Sequence, residues 1–224
     1  MGAGIYTIPE AARLSKVSPH RIRRWLKGYS FKTSRTKRLR SAPVWQSQLT
    51  PIKGTIAVGF RDLMEIRFVA AFIGQGVTWK TMRLAHAAAK ETLDTDHPFC
   101  THRFATDGLH ILQQEIEEAG DRRFTDIVTN QREFDSIVTP FLRELDFDGG
   151  VLRWWPLGRD HAVVLDPGRS LGQPIVANGG VQTRILSNSV KANDDSIEVV
   201  ARWFEVAVEE VRDAVEFEKS LLAA

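Results

Sequence analysis

The sequence concentrates cationic side chains near its N-terminus. Arg21, Arg23 and Arg24 lie close together, and a second run of Lys and Arg occupies residues 32–40. The planar guanidinium donates two parallel hydrogen bonds, which suits phosphate oxygens and guanine edges. This chemistry predicts contact with double-stranded DNA. The candidate DNA-binding residues are Ser18, His20, Arg21, Arg23, Arg24, Lys27, Lys32, Arg35, Lys37, Arg38 and Arg40.

The charge distribution supports the same interpretation. Residues 1–54 hold twelve Lys and Arg against one acid, Glu10, which gives +11, and the remaining chain holds 18 basic and 27 acidic residues, which gives −9. A basic head on an acidic body indicates that one end meets a polyanion. A solvated basic tail would carry the same charge, but it would lack the folding signals of this head.

Four other side chains could bind a metal. His97, Cys100, His102 and His110 combine a thiol with imidazoles, the ligands that zinc prefers, and Cys100 and His102 would share one face of a strand. Their spacing matches no strong zinc template, so the sequence predicts neither a metal site nor a cofactor. Nucleophile-elbow, P-loop and dinucleotide motifs are also absent, and we expect no enzymatic activity.

The cationic residues fall on recognisable elements. The segment from Thr7 to Glu10 is a capping box that begins a short helix. Ser18 and Pro19 begin a second helix, in which Ile22, Trp25 and Leu26 form an apolar stripe, and Gly28 ends it. Two short helices joined by a tight turn, the second rich in arginine, predict a helix-turn-helix, and the basic run after it predicts a wing.

The rest of the chain predicts an α+β protein that is mainly helical. Helices should begin at Asp62 and Thr78. A hairpin should join residues 101–106 to residues 109–114 through a type I′ turn at Asp107-Gly108. A helix over residues 131–145 and a turn at residues 148–150 should precede a strand over residues 151–157. We divide the chain into a winged helix-turn-helix at 1–92, a small hairpin-containing α+β region at 93–160 and a three-helix tail domain at 161–224.

The tail has its own pattern of predicted strands and helices. Short strands over residues 161–165 and 171–176 precede helices that begin near residues 183, 194 and 208. In the last helix, Val211, Val215 and either Leu221 or Leu222 should point inward. A glutamate-rich face should point outward; its members are Glu209, Glu210, Glu216 and Glu218.

Residues 5–92 resemble the MerR-type winged helix domain. The resemblance rests on residues 6–12 (YTIPEAA), 17–25 (VSPHRIRRW), 60–68 (FRDLMEIRF) and 76–80 (GVTWK). It implies a DNA-binding head with two helices after the wing. Metal and drug sensors of that family continue into a long coiled-coil helix, whereas the helix here is short, over about residues 78–92. We therefore place the contact of an expected homodimer in the tail.

The tail resembles small domains of bacterial antitoxins. Their signature is matched by Asp166-Pro167, by residues 172–175 (GQPI) and by residues 211–217 (VRDAVEF); their Gly-Thr-Arg-Ile element is replaced by residues 178–181 (NGGV), which lack the arginine. The combination of head and tail resembles long VapB-type antitoxins of type II toxin–antitoxin modules. That resemblance implies repression of the protein's own operon through promoter DNA and neutralisation of a PIN-like ribonuclease toxin.

Two alternatives stay open from the residues alone. One is a stand-alone MerR-like transcriptional regulator that senses a ligand or metal. The other is an adaptor whose basic head binds RNA or an acidic protein. The 43% apolar content of the 224 residues allows a proper core, and the single cysteine fits a reducing compartment. No apolar run approaches the roughly 20 residues of a membrane span, so we expect a cytoplasmic protein.

Overall fold

The computed structural model describes residues 2–32, 38–51 and 54–222, with the backbone alone at residues 29–32 and 38–40. Within these ranges the helices are α1 (Ile8–Ser15), α2 (Pro19–Lys27), α3 (Phe60–Gly74), α4 (Trp79–Leu93), α5 (His102–Gln113), α6 (Ile116–Ala119), α7 (Arg122–Thr129), α8 (Gln131–Arg143), α9 (Thr183–Ala192), α10 (Ile197–Phe204) and α11 (Val208–Leu222). The strands pair antiparallel as β1 (Tyr29–Lys32) with β2 (Arg38–Ser41), β3 (Leu145–Asp148) with β4 (Gly150–Trp154), and β5 (Val163–Val164) with β6 (Ile175–Val176). The predicted α+β class with mainly helical content is confirmed.

The main hydrophobic core is centred on Phe68 of α3. The Phe68 ring centroid lies 4.3 Å from that of Phe99, 5.1 Å from that of Phe104 and 5.6 Å from that of Phe141. These rings come from the segment before α5, from α5 and from α8, so burial of aromatic surface joins the middle of the chain to α3.

The hairpin predicted at Asp107-Gly108 is wrong, because residues 102–113 form helix α5. Thr101 caps it, since its Oγ1 accepts from the Phe104 amide at 3.0 Å. Phe104, Gly108, Ile111 and Leu112 are buried at helical spacing. A Cβ on Gly108 would lie 3.0 Å from the Phe104 ring. The glycine therefore makes room for an aromatic ring of its own helix and forms no turn.

The predicted Asp148–Gly150 turn does connect two strands, and Gly149 has the left-handed φ of +68° that such a turn needs. The predicted helix over residues 131–145 is α8, which contains Pro140. The strand predicted over residues 151–157 is β4, which ends at Trp154.

The three predicted tail helices are α9, α10 and α11, and they enclose a second, smaller core. Its buried members are Val176, Leu186, Val190, Val200, Ala201, Val211 and Ala214. One expectation for α11 is wrong: Glu210 is buried, not part of an outward face. Its two carboxylate oxygens accept from the Asn178 amide at 3.3 Å and the Ala207 amide at 3.1 Å, which compensates for the burial of the charge.

The tail also packs against the N-terminal segment. The Ile5 amide donates to the Leu171 carbonyl oxygen at 2.9 Å. Phe217 and Leu221 of α11 belong to the main core together with Tyr6 and Leu14. The first and last parts of the chain therefore share apolar surface. The division at residues 92 and 160 remains a prediction.

Candidate nucleic-acid interface

Helices α1 and α2 begin where their caps require. Thr7 Oγ1 accepts from the Glu10 amide at 3.3 Å, and Glu10 Oε2 accepts from the Thr7 amide at 2.7 Å, so both halves of the capping box form. Ser18 Oγ accepts from the Arg21 amide at 3.4 Å, and Pro19 occupies the first turn of α2. The predicted pair of short helices is present.

Helix α2 has one buried and one exposed face. Ile22, Trp25 and Leu26 are buried, and the Trp25 ring stacks on that of Trp79 in α4, with centroids 4.9 Å apart and planes 9° from parallel. The basic side chains lie on the other side. His20, Arg21, Arg23 and Lys27 are exposed, as is Ser18, whereas Arg24 is half-buried and has a partner of its own. The stacked indoles fix the orientation of α2 and leave its cationic face open to solvent.

The predicted wing is an antiparallel hairpin that follows α2 directly. Lys32 pairs with Arg38, Ser30 with Arg40 and Tyr29 with Ser41. Gly28 ends α2 with φ of +70°, and a Cβ there would lie 2.1 Å from the Ser41 carbonyl oxygen. Only glycine allows this close approach between the end of α2 and the end of β2. The candidates Arg35 and Lys37 lie outside the described residues.

Two further residues, Arg83 and Trp79, lie beside this interface and are not among the DNA-binding candidates chosen from the sequence. Arg83 of α4 is half-buried, and its Nη1 donates to the Ser41 hydroxyl at the base of the wing. Trp79 lines a cleft of about 280 Å³ together with Arg21 and Arg24. The Thr78 cap of α4 predicted a helix here, but only the fold places the start of that helix against α2.

The segment between the wing and α3 is fixed by a buried carboxylate, Asp62. Its oxygens accept from Trp45 Nε1 at 3.0 Å, from Ser47 Oγ at 2.8 Å and from the Gly59 amide at 2.9 Å. His97 Nε2 lies 2.9 Å from the same carboxylate. The sequence predicted Asp62 only as a helix cap, because three of these four partners come from other parts of the chain.

The four candidate metal ligands have separate environments. His97 contacts Asp62, and the Cys100 thiol donates to the Arg61 carbonyl oxygen at 3.3 Å. Burial, with the nearby Glu65 carboxylate, raises the Cys100 pKa well above its usual value. His102 and His110 are exposed on α5. Cys100 ends a short 3₁₀ turn and His102 begins α5, so the proposed shared strand face is wrong. In residues 2–32, 38–51 and 54–222, no group of three or more His, Cys, Asp or Glu side chains could hold a metal ion.

Comparison with known proteins gives one relative of nearly equal length. The chain is 24% identical over 223 residues to "Putative antitoxin VapB45" of Mycobacterium tuberculosis (strain ATCC 25618 / H37Rv), which covers 95% of this chain and 92% of the relative. No protein-family profile matches the chain. Among the described helices, none has the length and apolar character needed to cross a membrane.

A solved structure shows the same fold. The crystal structure of Rv2018 from Mycobacterium tuberculosis superimposes with a TM-score of 0.72 at 23% identity, covering 94% of this chain and 96% of that one. The likeness therefore extends over helices from the first to the last part of the chain. The chain adopts the fold of Rv2018 over nearly its whole length.

Proposed function

We propose that this protein is a DNA-binding antitoxin of a type II toxin–antitoxin module. It represses its own operon through promoter DNA and neutralises a PIN-like ribonuclease toxin. The observation that carries the DNA half is the exposed cationic face of α2, held by the Trp25–Trp79 stack beside the hairpin β1–β2. A helix of this kind, with basic residues in its first turns, fits the major groove.

The toxin half rests on similarity and on charge. The relative that matches 95% of the chain bears the name of an antitoxin. Outside residues 1–54 the chain has a net charge of −9, and Glu209 and Glu216 are exposed on α11. A ribonuclease presents a basic surface to RNA, so an acidic partner surface is complementary to it and speeds their encounter. The homodimer expected of a promoter-binding helix-turn-helix belongs to the same proposal.

The experiment for the DNA half is fluorescence anisotropy with two duplexes. One carries the region upstream of the protein's own gene, and the other is a scrambled sequence of the same composition. We expect tighter binding to the upstream duplex by about 10³-fold or more at physiological salt, the range of specific over non-specific recognition. Equal affinity for both duplexes would contradict operon repression.

The experiment for the toxin half uses the product of the neighbouring reading frame. The full-length protein should co-purify with that product and inhibit its cleavage of RNA. A variant with Arg21, Arg23 and Lys27 changed to Ala should still inhibit, because these residues lie on the DNA-binding face. Failure of the wild-type protein to bind the product would contradict the toxin half and leave the DNA half intact.

A further inference from the structure

A cleft of about 540 Å³ lies where the two ends of the chain meet the middle, and we name it the junction cleft. Its walls come from α1, α3, α8, α11 and the segment that begins at Trp154. Its lining includes Lys16, Arg67, Phe141, Glu144, Trp154 and Phe217. Small-molecule sites in proteins have volumes of about 300–1,000 Å³ and favour such boundaries between units.

The cationic side chain of Arg67 lies in the cleft and is fixed by its neighbours. Its guanidinium lies 3.9 Å from the Trp154 ring centroid and 5.1 Å from that of Phe141. Its Nη2 contacts Glu144 Oε2 at 2.6 Å, and Trp154 Nε1 donates to the same oxygen at 2.9 Å. These contacts fix the plane of the guanidinium before any ligand arrives, which lowers the entropic cost of binding.

Donor capacity remains on Arg67 after these contacts. A guanidinium has five N–H donors. Among the described residues, the hydrogen bonds of Arg67 besides that to Glu144 amount to one weak contact, from Nη1 to the Met64 sulfur at 3.9 Å. The side chain is only 15% exposed, but among the described residues no Arg67 nitrogen is both fully buried and without a partner, so the remaining donors are accessible to a ligand or to water. Burial lowers the Arg67 pKa, and the Glu144 carboxylate opposes this effect. A second acceptor would compensate for that burial.

The charges of the cleft favour an anion. Arg67 and Lys16 are cationic and Glu144 is the acidic lining residue, so the lining has a net charge of +1. Lys16 is exposed beside the cleft. The rest of the lining is largely apolar, and Phe141 and Phe217 are both buried. This combination suits one negative group attached to an apolar body.

We propose that the junction cleft binds a small carboxylic acid with an aromatic or aliphatic body. The carboxylate accepts from the free donors of Arg67 and from Lys16, and the body lies against Phe141 and Phe217. Since the cleft is lined by both α1 and α11, the ligand contacts the helix-turn-helix and the last helix at once. This inference does not depend on the proposed toxin or promoter.

Isothermal titration calorimetry with full-length protein tests the site. The probes are phenylacetate, 4-phenylbutyrate and octanoate, and 4-phenylbutyramide serves as the uncharged control. We expect saturable binding of at least one carboxylate with one site per chain. The amide should bind at least about tenfold more weakly, since it lacks the charge that strengthens bonds to Arg67 and Lys16. Absence of saturable binding by all three carboxylates, or equal binding of the amide, would overturn the proposal.

Three variants locate the binding. Lys16→Met should weaken the carboxylate by about threefold to tenfold, in line with the loss of one partly exposed charge contact, and Arg67→Met should abolish binding. Arg143→Met is the matched control, because Arg143 is exposed on the same helix as Phe141 but does not line the cleft. If Arg67→Met does not fold, Lys16→Met decides the outcome. Equal effects of Lys16→Met and Arg143→Met would overturn the site.

Sedimentation of the full-length protein with and without the probe is a separate test. If the probe displaces a second copy of the chain, the cleft is a self-association surface and the proposal is overturned.

Discussion

The Tyr6 hydroxyl donates to the Gly172 carbonyl oxygen at 2.6 Å, across 166 residues of sequence. Tyr6 is buried, and its backbone pairs with Val58 just before α3. Burial raises the Tyr6 pKa above its usual range, with Glu10 and Asp166 adding to the effect, so the phenol remains a donor at ordinary pH. One hydrogen bond thus joins the N-terminal segment to the loop before β6.

Tyr6→Phe should destabilise the protein by about 1–3 kcal/mol, because it leaves a buried carbonyl without its donor while keeping the ring. Urea unfolding followed by circular dichroism measures the change. Phe60→Leu, a core substitution that removes ring packing without touching this bond, provides a scale for packing loss. Unchanged stability of Tyr6→Phe would mean that water replaces the phenol.

Gly172→Ala tests the same contact from the other side. Gly172 has φ of +79°, and a Cβ there would lie 2.6 Å from Tyr6 Oη and 2.9 Å from Gly4 Cα. Gly54→Ala is a close control, since Gly54 has φ of +78° and no atom of the described residues lies within 4 Å of the added Cβ. Both variants carry the backbone strain of about 1 kcal/mol, but Gly172→Ala should cost at least about 1 kcal/mol more through overpacking. Equal urea midpoints for the two variants would show that the loop can move away.

Arg21→Ala should weaken binding to the upstream duplex by about 1–3 kcal/mol and binding to a scrambled duplex much less, as expected for a base contact. Arg21 is exposed in the first turn of α2, and its backbone amide donates a hydrogen bond to the Ser18 hydroxyl. Arg13→Ala, exposed on α1, is the comparison. Equal losses on both duplexes would make Arg21 a phosphate contact, and no loss on either would refute α2 as the recognition helix.

Arg83 should position the wing through Ser41. Arg83→Met and Ser41→Ala should each reduce DNA affinity, and the double variant should lose less than the sum, with a coupling energy of about 0.5–1.5 kcal/mol. Anisotropy titrations of the four proteins give this cycle. The same cycle with Lys80→Met, an exposed residue of α4, should be additive. Additivity for Arg83 as well would mean that it acts on DNA directly.

Asp121 should make stability depend on pH. Partial burial alone would raise its pKa, but donors from the Thr81 hydroxyl, the Thr78 amide and the Phe124 amide together lower it from 3.8 to about 2. A depressed carboxyl pKa stabilises the fold above the unfolded value of about 4, and this contribution disappears as the pH falls toward 2.

Asp121→Asn should therefore lose roughly 1 kcal/mol at pH 7, a figure reduced because water screens the half-exposed carboxylate. Between pH 4 and pH 2 the gap to wild type should close. Urea unfolding at several pH values measures it. Asp126→Asn, exposed on helix α7, which Asp121 caps, should show no such pH dependence. A constant gap across this pH range would exclude the ionised Asp121 as the cause.

The sequence by itself determined the local elements of the head and tail. Thr7 and Ser18 cap α1 and α2 as predicted, and the tail helix predicted to begin near residue 183 is α9, which begins at Thr183. These features depend on residues three or four positions apart, so their side chains meet whatever the rest of the chain does. The basic face of α2 follows from the same periodicity.

Tertiary structure decided what depends on distant partners. Asp107-Gly108 has the composition of a tight turn, but Phe104 and Ile111 must reach the aromatic core around Phe68, and burial of those rings outweighs the local turn preference. Glu210 belongs by spacing to a solvated face, but it is buried, and its carboxylate accepts from the distant Asn178 amide as well as from the local Ala207 amide.

Contacts between segments that are distant in sequence were also decided by the tertiary structure. The Trp25–Trp79 stack, the Tyr6–Gly172 bond and the junction cleft each join residues that are far apart in sequence. No period or cap encodes such contacts, because they form only when separate apolar stripes are buried against each other. The sequence therefore determined which helix carries the cations, and only the packing of the folded chain decided how that helix is held and what lies beside it.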